Sequence, residues 1–378
     1  MSDKRSIFED VSGDAPVERK VETGVISGAK ASAKRAIRIW LHILLVMVAL
    51  MIIVGGLTRL TDSGLSITEW KPITGAVPPM SEAAWLVEFE KYQQIPEYQL
   101  QNKGMSLSEF KSIFWWEWGH RQLGRVIGLV WALGFFGFLA MRNIPTGWNG
   151  RLLGLGVLGG LQGAIGWWMV SSGLNGRMVD VASYRLAIHL GLAFVIMGLI
   201  IWYSMSLKRD AQDLLQARRN RESALSNLAS ILAVLVFLQV LLGALVAGID
   251  AGRGYIDWPL MNGQVLPSES FDYAPLWVNF FENPALVQFN HRMLGYLVIL
   301  FAGFAWWRSR TSPLRATKQA YDVLLAVVVL QMILGIVTVL YAAPWQIAIL
   351  HQIGAIAVMA LVLRTRFATM YPAAQSLR

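Results

Sequence analysis

The chain contains eight runs of about 20 predominantly apolar residues, near 37–57, 121–141, 152–171, 186–207, 227–248, 291–307, 320–341 and 347–363. Runs of that length cross a bilayer as helices, because lipid offers no partner to a free backbone N–H or C=O. The expected fold is an all-α membrane protein with eight transmembrane helices. Composition agrees, since 55% of the 378 residues are hydrophobic and only 15% are charged, which excludes a soluble enzyme. The 16 tryptophans and 34 glycines suit interfacial aromatic belts and close helix contacts, and Trp115, Trp116 and Trp118 read as such a belt.

A net charge of +9 raises the question of nucleic acid, but the loops give a simpler cause. The termini with 142–151, 208–225 and 308–319 carry 22 of the 33 basic residues, whereas 58–119, 172–185, 249–290 and 341–346 carry 8. Short loops rich in Lys and Arg stay in the cytoplasm, so both termini are expected there and no nucleic-acid partner is. Residues 1–35 mix acids with bases and show no cleavable signal, which predicts a disordered cytoplasmic tail. The rest divides into a four-helix half at 36–207, a cytoplasmic linker at 208–225, a second half at 226–366 and a tail at 367–378.

The two halves repeat one another. VGGLTRLTDSGLSITEWKPITGAVPP from Val54 aligns without a gap on LGALVAGIDAGRGYIDWPLMNGQVLP from Leu242, matching Asp62 with Asp250 and Trp70 with Trp258. HRQLGRVIGL from His120 matches HRMLGYLVIL from His291, LQGAIG from Leu161 matches LQMILG from Leu330, and His189 falls on His351. Because four spans return the chain to the same side, the repeats are expected to be parallel, related by a pseudo-two-fold axis along the membrane normal.

The absence of cysteine removes disulfides, thiolate metal sites and iron–sulfur clusters. Histidine is the scarce resource: there are five, and four occupy equivalent positions in the two halves. His120 and His291 are expected to open the second and sixth helices, and His189 and His351 to lie near the start of the fourth and eighth. All four then sit at similar depth, toward the extracytoplasmic side. Two neutral imidazoles facing each other across a gap between helices offer the axial geometry that a haem iron accepts, so one haem site per half is expected. No further His or Cys box recurs beside them to favour zinc or copper. His42 has no counterpart and reads as a hydrogen-bonded interfacial side chain.

Arg121 and Arg292 follow the paired histidines, where an arginine either contacts a porphyrin propionate or anchors to lipid headgroups. Gly156, Gly159, Gly160, Gly163 and Gly166 are expected to allow close helix packing, and Gln162 and Gln331 to act as interhelical hydrogen-bond donors. The halves differ at one telling position: Glu117 stands three residues before His120, whereas Gln288 stands before His291. At that spacing a helix sets both side chains on one face. A carboxylate in one half alone suggests that one haem reacts and the other carries electrons.

The segments GGLTRLTDSGLSITEWKPITG, EWGHRQLGR, GIDAGRGYIDWPLMNGQ, FNHRMLGY and LHQIGA resemble the signatures of the haem A synthase family, and together they span about residues 50 to 360. The resemblance implies an eight-span membrane oxidoreductase that converts the C8 methyl of haem O to the formyl of haem A for terminal cytochrome oxidases. By the same resemblance His120 and His189 hold the substrate haem, His291 and His351 hold a haem b cofactor through its iron, and Glu117 is the catalytic carboxylate. Many bacterial members carry a cysteine pair in an outer loop, so this chain resembles the cysteine-free branch of proteobacteria and mitochondria. The implied setting is the bacterial inner membrane, with membrane lipid, haem O synthase and an electron acceptor or donor as partners; a homo-oligomer is compatible. A diheme b-type electron carrier or quinone oxidoreductase would use the same histidines but leave Glu117 without a purpose. A transporter built on a parallel repeat would place ionisable groups near mid-membrane.

The charge asymmetry makes a direct prediction. A topology reporter fused after Arg378 should report the cytoplasm and one inserted near Asp272 the opposite compartment; the reverse result would overturn the shared depth assigned to the histidines.

Overall fold

A computed structural model describes residues 25–174 and 178–373, with side chains from residue 31 onward. Among them, 8 helices are long and apolar enough to cross a membrane. They are α1 (Val25–Leu60), α2 (Leu107–Ala140), α3 (Asn149–Val170), α4 (Ser183–Leu207), α5 (Ser223–Gly248), α6 (Pro284–Ser309), α7 (Arg315–Leu340) and α8 (Trp345–Met370). Strand structure among the described residues is limited to one bridge, Met261 with Gln264.

Helix ends depart from the hydropathic runs where local chemistry nucleates or prolongs the helix. α1 begins at Val25, inside the stretch expected to be a disordered tail, because Ala29, Ala31 and Ala33 favour helix. Positions 1–24 and 374–378 of the expected tails lie outside the described residues, and α8 continues past 366 to Met370. α2 begins at Leu107, where Ser106 and Glu109 form a capping box. α6 begins at Pro284, where the Asn283 side chain accepts from the N–H groups of Ala285 and Leu286. His120 and His291 therefore lie inside their helices and do not open them, as the apolar runs alone had suggested. A hydropathy window registers lipid, whereas these caps lie beyond it.

α1, α4, α5 and α8 form the centre of the molecule, with α2 and α3 flanking one side and α6 and α7 the other. A single apolar core runs through both halves, from Leu41 and Ile52 on α1 through Met197 on α4 and Leu232 on α5 to Val362 on α8. Two tryptophans lock the first half. The Trp40 indole lies on Gly134 and donates to the Val130 carbonyl at 3.0 Å, and that of Trp131 lies on Gly156 and donates to Leu152 at 3.0 Å. Each glycine is required because a Cβ there would occupy the ring's place.

At the end of the bundle that carries the long loops, the halves meet at Arg59. Its guanidinium pairs with Asp62 at 2.8 Å and Asp180 at 3.5 Å from the first half, and with Asp250 at 3.0 Å from the second. Asp62 and Asp250 hold equivalent places just past α1 and α5, both with left-handed backbone, φ 48° and 51°. The loop between α1 and α2 folds as two short helices, Glu82–Tyr92 and Pro96–Leu100, which pack as an aromatic cap on the first turns of α2.

Leucine at Gly134 must displace the Trp40 ring, at a cost of about 1–3 kcal/mol. Gly134→Leu should lower the thermal midpoint in detergent, while Gly137→Leu, where nothing lies within 4 Å, should not. Equal midpoints would refute the indole–glycine lock.

Candidate functional site

Each of the four duplicated histidines leans on a glycine of the helix that precedes it in the chain. A Cβ at Gly55 on α1 would lie 2.9 Å from Cε1 of His120 on α2, and one at Gly166 on α3 would lie 2.9 Å from that of His189 on α4. In the second half, a Cβ at Gly243 on α5 would lie 3.1 Å from His291 on α6, and one at Gly335 on α7 would lie 2.9 Å from His351 on α8. Gly55 and Gly243 are matched by the repeat, as are Gly166 and Gly335. Of the remaining glycines in the α3 pattern, Gly156 receives Trp131, whereas nothing lies within 4 Å of a Cβ at Gly159, Gly160 or Gly163.

Glutamines fix the backbone beside three of these rings. Gln162 donates to the carbonyl of His189 at 2.9 Å, Gln331 to that of His351 at 2.8 Å, and Gln239 to that of His291 at 3.0 Å. Gln162 and Gln331 thus make the interhelical bonds expected of them. Gln239 escaped notice because the repeat places Met51 opposite it in the first half.

The second-half pair fits a haem. The ring centres of His291 and His351 stand 6.4 Å apart with planes at 83°. Two imidazoles bonded at about 2 Å to opposite faces of one metal would have centres about 6.3 Å apart. Nδ1 of His120, His189 and His351 is buried without a hydrogen-bond partner, and no group of three or more His, Cys, Asp or Glu that could hold a bare metal ion occurs among the described residues. His42 stands apart, its Nε2 paired with Ser204 Oγ at 2.7 Å.

Glu117 is 3% exposed, a carboxylate enclosed by the fold. Oε2 accepts from Ser66 Oγ at 2.7 Å and from the Ile67 N–H at 2.8 Å, and Oε1 accepts from Arg121 Nε at 3.0 Å and Nη2 at 2.5 Å. Gln288 is equally buried but donates to the Tyr255 carbonyl at 3.2 Å. Arg121 also donates to the carbonyls of Ile67 at 2.8 Å and Glu69 at 3.1 Å, while Arg292 makes the equivalent bonds to Tyr255 at 2.8 Å and Asp257 at 2.9 Å. Both guanidiniums thus staple the loop after α1 or α5 to the histidine helix. The loop carboxylates opposite each other in the repeat are held below the usual range by different means. Hydrogen bonds from the Lys71 and Lys91 ammonium groups do so for Glu69, and N–H groups of Gly263 and Asn262 for Asp257.

Two loop-carbonyl bonds are therefore shared by Arg121 and Arg292, Arg292 adds one to the Leu260 carbonyl at 2.9 Å, and the carboxylate is present in one copy. Residues 38–363 match the COX15-CtaA family model, described as cytochrome oxidase assembly protein. The heme A synthase of Dinoroseobacter shibae is 63% identical over 100% of this chain and 99% of its own length. That of Ruegeria pomeroyi is 60% identical over 100% of both, and that of Paracoccus denitrificans 56% identical over 99% and 98%. With a family match across nearly all eight helices and relatives this similar from end to end, the chain belongs to the COX15-CtaA family of cytochrome oxidase assembly proteins.

Proposed function

We propose that this protein is a haem A synthase, a multi-pass membrane oxidoreductase that oxidises the C8 methyl of haem O to the formyl group of haem A. Full-length relatives of that name support the reading. The observation that carries it is the buried carboxylate of Glu117, one turn before His120, set in scaffolding that the other half reproduces with Gln288 in its place. In this reading His120 and His189 hold the substrate haem, and His291 and His351 hold a haem b. The haem b supplies one-electron transfer when bound. Haem O arrives from a haem O synthase, electrons leave to an acceptor, and both termini lie in the cytoplasm of a bacterial cell.

The protein's own part is to bind, orient and handle protons. Gly55, Gly166, Gly243 and Gly335 leave room for the imidazoles, and the glutamine bonds keep the histidine backbones in register. Conversion of a methyl to a formyl with oxygen from water releases four protons and four electrons, so positive charge develops beside Glu117. Four donated hydrogen bonds hold that carboxylate in one orientation, so it meets the developing charge without reorganising. Arg292 and Gln288 keep the equivalent shape in the second half without the negative charge.

Glu117→Gln keeps volume and copies the second half. It should retain both haems yet lower haem A formation by about 10²- to 10⁴-fold, with haem O or its hydroxymethyl product accumulating in extracted pigments. A near-normal yield of haem A would remove Glu117 from the chemistry.

A further inference from the structure

The aromatic cap on α2 encloses a second carboxylate. Trp85, Phe89 and Tyr92 from the first short helix, with Ile95, pack on Phe110 and Phe114, and Glu97 on the second short helix is only 3% exposed. Its Oε2 is buried and has no hydrogen-bond partner among the described residues. A carboxylate so placed is costly to ionise, and its lack of a partner calls for an explanation. Glu117, equally buried, has all its donors; Glu97 has an oxygen free to receive a proton.

The charged groups that act on Glu97 differ in exposure. Glu117 from α2, Asp180 from the loop before α4, Asp62 after α1 and Arg59 at the end of α1 all influence it, and Tyr92 shares its pocket. The side chains of Glu117, Asp180 and Asp62 are 3%, 33% and 47% exposed, and Arg59 pairs with the last two. Burial, with the charge of Glu117 next in importance, pushes the Glu97 carboxyl up to about 8. It is then mostly neutral at pH 7 and ionises across the range in which a proton carrier must both take and release.

We propose that Glu97, buried with one carboxylate oxygen unpartnered, is a proton relay, receiving protons released beside Glu117 and passing them outward to water at the long-loop end. This rests on the haem A synthase reading. Methyl plus water gives formyl, four protons and four electrons; the electrons leave to a one-electron acceptor, and only the protons cross Glu97. In each transfer the Glu97 carboxylate gains one proton to become the acid and then loses it outward, with no other bond made or broken.

Glu97→Gln imitates the neutral acid and is expected to fold. In the full-length, haem-loaded protein, conversion of haem O is followed between about pH 6 and pH 9, alongside haem content. Wild type should speed up as pH rises through about 8, because only the ionised form accepts a proton. Glu97→Gln should keep its haem, lose that rise and form haem A at least about ten-fold more slowly, while Glu97→Asp keeps the rise. Haem A formation by Glu97→Gln within about two-fold of wild type, with an unchanged pH profile, would overturn the relay. Should Glu97→Gln lose haem, infrared spectra of wild type decide: a protonated carboxyl band must fade as pH rises through about 8, and its absence refutes the proposal. Wild type that makes no haem A from haem O overturns the functional reading instead.

Discussion

Four imidazoles lie where four glycines leave no side chain, and the rest of the molecule is arranged around that contact. Gly55, Gly166, Gly243 and Gly335 each stand on the helix before a duplicated histidine, so a ring can enter the space between neighbouring helices. In lipid there is no hydrophobic gain from bringing helices together, and close backbone approach at small residues takes its place. The same rule accounts for the Trp40 and Trp131 locks. Pairing α1 with α2, α3 with α4, α5 with α6 and α7 with α8 through these contacts yields two like halves, joined through α1, α4, α5 and α8.

The halves share structure and differ in chemistry. Arg121 and Arg292 share two matched loop bonds, and Asp62 and Asp250 adopt the same left-handed turn. Two differences fall around the proposed haem sites: Glu117 against Gln288, and Met51 against Gln239. A further one is Gln352, next to His351, which donates across the halves to the Ile52 carbonyl at 2.6 Å, where the repeat puts Leu190 in the other copy. Keeping the supports common while varying one carboxylate lets one site react and the other stay inert, which is the division of labour proposed here.

Much of this was legible in the chain. Eight apolar runs gave the eight helices, and the repeat carried the glycine contacts inside its matched segments, since Gly55 falls on Gly243 and Gly166 on Gly335. Gly166 read as helix packing, and the other three drew no reading, because a histidine far along the chain gives no local sign of resting on a glycine. The starts of α2 and α6 were misplaced because Ser106 and Asn283 act beyond the apolar runs. Glu97 and Arg59 were invisible for another reason. Their burial depends on the fold of the loop after α1 and on the meeting of the halves, and neither leaves a period or spacing in the sequence.

The central claim is that the four histidines hold two haems with separate roles. The most direct measurement is pigment extraction and low-temperature electron paramagnetic resonance on the purified full-length protein, beside His351→Ala. Wild type should yield haem B together with haem O or haem A, with low-spin bis-imidazole signals, and His351→Ala should lose the haem B signal while keeping the other. A wild-type protein with one haem or none, or a His351→Ala variant that keeps its haem B, would contradict the account.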